Sequence, residues 1–138
     1  MIARLVSLYA KIMPVVGTIL LFVGAFYDTT WASYSVLFHA VVIVALFGAT
    51  VSFRRYQLPI TKYGTVNLLG IVATGGALVA GPSTTAIALF AGLMFCDTLV
   101  LGKTVNVAWI NAGRESLALF AAYGFYAWAA VTIDPTKS

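Results

Sequence analysis

Asp97 is the acidic residue best placed to carry chemistry, because it lies within a long run of apolar residues. An ionisable side chain in an apolar, membrane-like environment is costly, so it must be protonated, hydrated or paired. Asp97 precedes Lys103 by six residues, which is about 9 Å along a helix. One interpretation is a proton or cation site. The other, which we favour, is a structural ion pair or interhelical hydrogen bond with Arg114 as its partner.

A second polar group, called the inner polar group below, surrounds the connection between the fourth and fifth apolar runs. Its members are Lys103, Asn106, Asn111, Arg114 and Glu115. Such a group is suited to contact a lipid headgroup, a quinone ring or a partner subunit. The alternative is an ordinary solvated loop.

The residue types that bind metal ions are scarce. His39 is the only histidine and Cys96 the only cysteine, whereas protein metal sites usually need three or four ligands. We therefore predict no metal site, with a ligand role for His39 only if a neighbouring subunit completes it. The sequence has no nucleotide-binding loop, no Ser/His/Asp set and no zinc spacing. We predict that the chain has no catalytic residues of its own and binds no cofactor alone, although it can contact lipid or quinone.

The composition is typical of a membrane protein. Of 138 residues, 62% are hydrophobic and 9% charged, and the mean hydropathy is +0.99. Soluble domains carry about 25% charged residues, so a water-facing shell cannot be built from this chain. The net charge of +4 does not indicate nucleic acid, because the basic residues lie between apolar runs and form no patch.

Five apolar segments account for most of the chain, and a helix needs about 17–25 residues to cross a bilayer. We predict an all-α, polytopic bundle of four to five short transmembrane helices that forms one domain, residues 1–138. The segments are residues 9–27, 35–53, 64–81, 86–102 and 113–133. Pro14 should fall in the first turns of segment 1, where its missing N–H is tolerated.

Two features leave the number of spans open. Residues 104–112 are moderately polar, so they form either an interfacial loop or a continuation of the fourth helix. Segments 3 and 4 could also form a re-entrant pair, which would lower the count. Continuous helices are the default, because backbone groups in lipid must be hydrogen-bonded internally.

Small residues recur at four-residue spacing in segments 3 and 4. They are Ala73, Ala77 and Gly81, followed by Ala88 and Gly92. Small side chains at this spacing let membrane helices approach closely. We therefore predict that these positions form the contact between the third and fourth helices, although Gly and Ala are common in all membrane helices.

The basic residues predict the orientation. With five spans and a cytoplasmic N-terminus, seven of eight lie inside and only Lys137 outside. The inner residues are Arg4, Lys11, Arg54, Arg55, Lys62, Lys103 and Arg114. Asp28 and Asp134 then lie outside with the C-terminus. Tyr9, Tyr56, Tyr63 and Trp109 mark the inner interface.

From the third helix onward the chain resembles the DoxX-like family of small membrane proteins. The resemblance rests on Val66-Asn67-Leu68-Leu69-Gly70, Gly81-Pro82-Ser83, Ala91-Gly92-Leu93-Met94 and Asn111-Ala112-Gly113-Arg114-Glu115. It covers about half the chain, and the first two helices depart from that family's usual opening. Membership would imply a four-helix accessory subunit linked to quinone or thiol oxidation.

These observations favour a small accessory or structural subunit of a larger membrane complex, with a respiratory or membrane-oxidase assembly as the expected setting. Its predicted partners are other membrane subunits and lipids, and no nucleic acid. One alternative is a self-associating transporter or channel with Asp97 as its coupling site. Another is a redox subunit that contacts quinone through the inner polar group.

Overall fold

The computed structural model describes residues 1–27, 34–61, 64–66, 68–134 and 136. Asp28, Lys62, Tyr63, Asn67 and Lys137, which entered the predictions above, lie outside this range. The helices are α1 (Ile2–Tyr27), α2 (Val36–Arg55), α3 (Leu69–Ala80), α4 (Pro82–Phe95) and α5 (Val105–Ile133). A π-helical turn, Cys96–Val100, extends α4, and two short strands, β1 (Leu58–Thr61) and β2 (Gly64–Val66), precede α3.

Four of the helical segments are long and apolar enough to cross a bilayer. They are Ile2–Phe26, Val36–Arg55, Pro82–Val100 and Val105–Ile133. The predicted all-α fold class is thereby confirmed, and the chain is a small polytopic integral membrane protein. Helix α3 has 12 residues, or about 18 Å, which is less than the apolar thickness of about 30 Å.

Helix α4 with its π-helical turn forms the centre of the bundle. In its apolar membrane-spanning stretch 56% of the residues are buried inside the bundle, whereas the share is 11% in each of α1, α2 and α5. It contacts each of the other four helices. Leu89, Leu93 and Ala88 are fully enclosed, and Leu69 and Leu119 pack against the same cluster from α3 and α5. Most of the surface of the peripheral helices therefore faces outward.

Contacts between α2 and α4 show that these two helices run in the same direction. His39 near the start of α2 meets Thr84 near the start of α4, and Arg54 near the end of α2 meets Asp97. Since both helices start at one end of the bundle, the chain must return between them. The β hairpin and α3 form that return path.

Helices α1 and α5 are also parallel to each other. Gly17 lies against Gly113, and Gly24 lies one heptad further along against Phe120. Gly24 also approaches Ser83 at the start of α4, so α4 runs opposite to α1. The five helices alternate in direction, and the start of α1 and the end of α5 lie at opposite ends of the bundle.

The helix boundaries differ from the predicted ones mainly at the N-terminal ends. Helix α1 starts at Ile2, so the placement of Pro14 in its first turns was wrong, and Pro14 is buried in mid-helix beside Gly113. Helix α4 starts at Pro82, which suits the first helical position because it needs no N–H donor there.

Residues 104–112 form neither an interfacial loop nor an extension of the fourth helix. Gly102, with φ +65°, turns the chain, and the Thr104 side chain accepts a hydrogen bond from the Val107 N–H. This cap starts α5 at Val105, eight residues before the predicted boundary. A capping threonine outweighs the modest polarity of the residues that follow it.

The hairpin before α3 corrects the predicted start of segment 3. Residues 64–66 form β2, which pairs antiparallel with β1 through Leu58–Val66 and Pro59–Thr65. Thr65 and Val66 are β-branched, and Pro59, the partner of Thr65, is unsuited to a helix interior, so this stretch favours extended backbone. The helix consequently starts only at Leu69.

Candidate functional site

Asp97 lies in the π-helical turn at the end of α4, with its side chain fully buried. A π-helical turn widens the helix by one residue and often occurs at functional positions. Here it places Asp97 between the end of α2 and the first turns of α5. Burial of Asp97 away from the outer surface agrees with the sequence-based expectation.

Arg54 is the ion-pair partner of Asp97. Its Nε donates to Asp97 Oδ1 at 2.8 Å, and its Nη2 donates to Oδ2 at 3.2 Å. The Arg54 side chain is only 9% exposed. A bidentate guanidinium–carboxylate pair satisfies both oxygens with charge-assisted bonds, which are about twice as strong as neutral ones.

Two members of the predicted inner polar group complete the surroundings of Asp97. Asn111 Nδ2 donates to Asp97 Oδ2 at 2.6 Å. Lys103 Nζ lies 3.7 Å from Oδ1, and the Lys103 backbone N–H donates to the Asp97 carbonyl at 2.7 Å. The group formed by Arg54, Asp97, Lys103 and Asn111 is called the Asp97 cluster below. Asn106, which is exposed on the first turn of α5, is not a member of the Asp97 cluster.

The expected Asp97–Arg114 pair was wrong. Arg114 Nη2 instead donates to Glu115 Oε1 at 2.8 Å, and Arg114 also lies beside Tyr9 of α1. The two side chains are 45% and 24% exposed. Arg114 therefore points toward α1 and the outer surface of α5, whereas Asn111, one turn earlier, faces Asp97.

The sequence contained a signal for Arg54 that its position obscured. Arg54 and Arg55 follow an apolar run, so both resemble residues that end a membrane segment. In an alternating bundle α2 and α4 are parallel, which places Arg54 and Asp97 near the same end. The predicted topology therefore already placed Arg54 and Asp97 at similar depths in the membrane.

A smaller polar group lies at the other end of α2 and α4. His39 Nδ1 and Thr84 Oγ1 are 3.0 Å apart, and both residues are buried. The hydroxyls of Ser83 and Ser116 are buried and lack a hydrogen-bond partner among the described residues. Among all the described residues, no group of three or more His, Cys, Asp or Glu side chains could hold a metal ion. Cys96 is buried near the Val51 carbonyl.

The predicted helix-packing positions lie inside the bundle, although the nearest neighbours of Gly92 are on α2. Ala77, Gly81, Ala88 and Gly92 are buried, and Ala73 packs against the core. A Cβ on Gly92 would lie 2.8 Å from Thr50 of α2. Gly76, which the four-residue pattern omits, is the glycine of α3 that meets Thr85 of α4.

The closest helix contact at any described glycine was not predicted. It joins Gly17 of α1 to Gly113 of α5, where a Cβ on Gly17 would lie 2.6 Å from the Gly113 carbonyl oxygen. The signal available was the seven-residue spacing of Gly17 and Gly24, which puts both glycines on one helix face. Without knowledge of which helices are neighbours, that spacing identifies no partner.

A cavity of about 260 Å³ opens between α3 and α5. Its wall is apolar, apart from one threonine and two tyrosines. The residues that line it are Thr74, Ala77, Leu78, Leu119, Ala122, Tyr123 and Tyr126. Ala77 thus faces this cavity toward α5.

Comparison with known proteins identifies no relative. No family model, curated protein or solved structure matches the chain. The resemblance to the DoxX-like family therefore stays a prediction from its sequence motifs.

Proposed function

We propose that this chain is a structural accessory subunit of a larger membrane complex. The observation that carries the proposal is the outward face of α2 and α3. Gly48, Gly70 and Gly75 are exposed there, and an added Cβ would meet nothing within 4 Å. Interfaces between membrane helices are enriched in small residues, because these permit close backbone approach.

The shape of that face supports contact with another helix. A groove of about 400 Å³ runs between α2 and α3, lined by Val41, Ala45, Ala49, Gly75, Val79 and their neighbours. On α1, by contrast, Gly17 and Gly24 both lie against α5, and the outward face presents larger side chains such as Ile19 and Phe22. Val41 and Val79 are exposed to a similar degree beside the groove, so the exposed glycines are what sets the α2–α3 face apart.

The Asp97 cluster supports a structural role over transport. Both carboxylate oxygens of Asp97 already accept hydrogen bonds, and the side chain is fully enclosed. A coupling carboxylate must exchange a proton or an ion with water, which would require breaking this pair. A respiratory or membrane-oxidase setting for the complex stays a prediction from the sequence.

The experiment compares Gly48→Leu with Gly124→Leu, a glycine on the outward face of α5 that also has open space around it. Tagged chains are solubilised from native membranes in mild detergent and separated by native electrophoresis. We expect wild type and Gly124→Leu in a complex of fixed stoichiometry, and Gly48→Leu mostly as the free chain. Wild type that migrates as a free chain would contradict the proposal. Ion flux through the purified chain in vesicles would favour the transporter.

A further inference from the structure

The described basic side chains are concentrated in one half of the bundle. This half, where α1 and α5 start and α2 and α4 finish, is called the basic end. It holds Arg4, Lys11, Arg54, Arg55, Lys103 and Arg114, against two acidic residues, Asp97 and Glu115. Described cations thus outnumber described anions there by a wide margin, and the excess is not balanced within the bundle.

The excess is greatest around the Asp97 cluster. Arg54 and Asn111 occupy both oxygens of Asp97 at hydrogen-bond distance. Lys103 Nζ stays 3.7 Å away, beyond a hydrogen bond, and its side chain is 36% exposed. One carboxylate therefore faces two cations, and the Lys103 side chain is more exposed than that of Arg54.

Arg55 adds a third cation beside this cluster. Its guanidinium lies over the Tyr56 ring, 5.2 Å from the ring centroid, and both residues are exposed. Arg55 follows Arg54 in the chain, and Arg54 and Lys103 both approach Asp97 Oδ1, so Arg55 and Lys103 belong to the same corner of the bundle. The exposed Arg55 and the partly exposed Lys103 thus place two positive charges where α2 ends and α5 is about to begin.

Exposed apolar side chains precede Lys103 in the chain. Leu99 is 73% exposed and Leu101 is 40% exposed, immediately before Lys103. Tyr56 and Tyr9 are exposed at the same end, where tyrosine typically marks the level of the headgroups. A ligand with an anionic head and an apolar tail would satisfy both kinds of surface at once, whereas a small soluble anion would use only the charges.

We propose that Lys103 and Arg55 bind the phosphate of an anionic membrane lipid, with its acyl chains along Leu99 and Leu101. The phosphate neutralises the positive charge that Asp97 leaves uncompensated. This site is independent of the α2–α3 face and so does not rest on the proposed subunit role.

The test is native mass spectrometry of the purified chain titrated with phosphatidylglycerol and, separately, with phosphatidylcholine. Lys103→Gln and Arg55→Gln remove the proposed contacts, while Lys11→Gln removes an exposed charge from α1 at the same end. We expect one tightly held phosphatidylglycerol, with its dissociation constant raised about fivefold by each of the first two variants. Lys11→Gln should leave it nearly unchanged, and Lys103→Arg should retain binding and thereby show that the fold tolerates substitution there.

Three results would overturn the proposal. Equal affinity for the two lipids would show that the charges do not select a headgroup. An equal loss in Lys11→Gln and Lys103→Gln would mean that the basic end attracts anions only diffusely. Displacement of the lipid by millimolar inorganic phosphate would identify the ligand as a soluble anion.

Discussion

Breaking the Arg54–Asp97 pair costs far more than its net contribution to folding would indicate. Moving a carboxylate and a guanidinium out of water costs several kcal/mol for each, and good geometry only offsets this. Once one partner is removed, however, the other remains as a buried, uncompensated charge. Asp97 is fully buried and Arg54 nearly so, so removal of either one would leave the other as such a buried charge.

Asp97→Asn should therefore lower the free energy of unfolding in detergent by about 3–5 kcal/mol, because Arg54 loses its counter-charge. Combining it with Arg54→Gln should restore part of the loss, since the amides can hydrogen-bond without a net charge. Denaturant unfolding of both single variants and the double variant measures the coupling.

The exposed Arg114–Glu115 pair provides the matched control. Arg114→Gln should change the free energy of unfolding by no more than about 1 kcal/mol, because solvent screens that pair. If Asp97→Asn cost no more than Arg114→Gln, the Asp97 cluster would not be a structural ion pair.

Sequence reasoning reached part of this cluster and missed its centre. The cost of a charge in an apolar run predicts a buried, partnered Asp97, and the structure agrees. The choice between Arg54 and Arg114 depends on which face of α5 turns inward. Asn111 and Arg114 lie almost one turn apart, and composition alone does not say which of them faces α4.

Between elements, the close approach of α1 and α5 depends on the absence of side chains at two positions. The backbones of α1 and α5 meet at Gly17 and Gly113, and a Cβ on Gly113 would also lie 2.9 Å from the Met13 carbonyl carbon. Backbone atoms cannot move aside as a flexible side chain can. Contact therefore requires glycine on both helices.

Gly113→Ala should destabilise the bundle by about 1–3 kcal/mol, the usual cost of forcing extra atoms into a packed contact. Gly124→Ala is the control in the same helix, because its Cβ would meet nothing within 4 Å. Alanine is the better helix former by up to about 1 kcal/mol, so this variant should be neutral or stabilising. Thermal unfolding of the two variants in the same detergent compares them directly.

The opposite order of stability, or equal effects, would contradict the α1–α5 crossing. Gly17→Ala offers an independent check, since it adds a methyl group to the same contact from the other helix. Its effect should resemble that of Gly113→Ala. The sum of the two single effects should exceed the effect of the double variant, because a crossing opened once is not opened again.

These glycine positions explain why the sequence predicted the helices but not which helices are in contact. Apolar runs and turn residues mark five helices, and four-residue spacing of small residues marks helix faces. The spacing does not fix the rotation of each helix about its axis. Gly76 and Gly92 show this, because they meet Thr85 and Thr50 on different neighbours. The strand Gly64–Val66 escaped prediction because it leads directly into the apolar residues of α3 and was counted as part of that segment.

For the whole molecule, the short helix α3 is the main element that returns the chain from the end of α2 to the start of α4. Since α2 and α4 start at the same end, residues 56–81 must carry the chain back across the bundle. Among the described residues of this stretch 12 are helical, and those cover about 18 Å. A helix shorter than the bilayer is accommodated by local thinning of the bilayer or by its neighbours, so the membrane should be thinner beside α3.

This geometry predicts that the two ends of the chain lie on opposite sides of the membrane. The distribution of basic residues predicts which end is on which side: the basic end should be cytoplasmic, with Arg4 inside and Asp134 outside. Single cysteines at Arg4 and Asp134, in a Cys96→Ala background, report accessibility to a membrane-impermeant maleimide in intact cells. We expect labelling at Asp134→Cys alone, and at Arg4→Cys only after permeabilisation. Labelling at Arg4→Cys alone would reverse the orientation and leave the five-helix path intact. Labelling of both positions from one side would mean an even number of crossings, and would show that α3 does not return the chain across the bilayer.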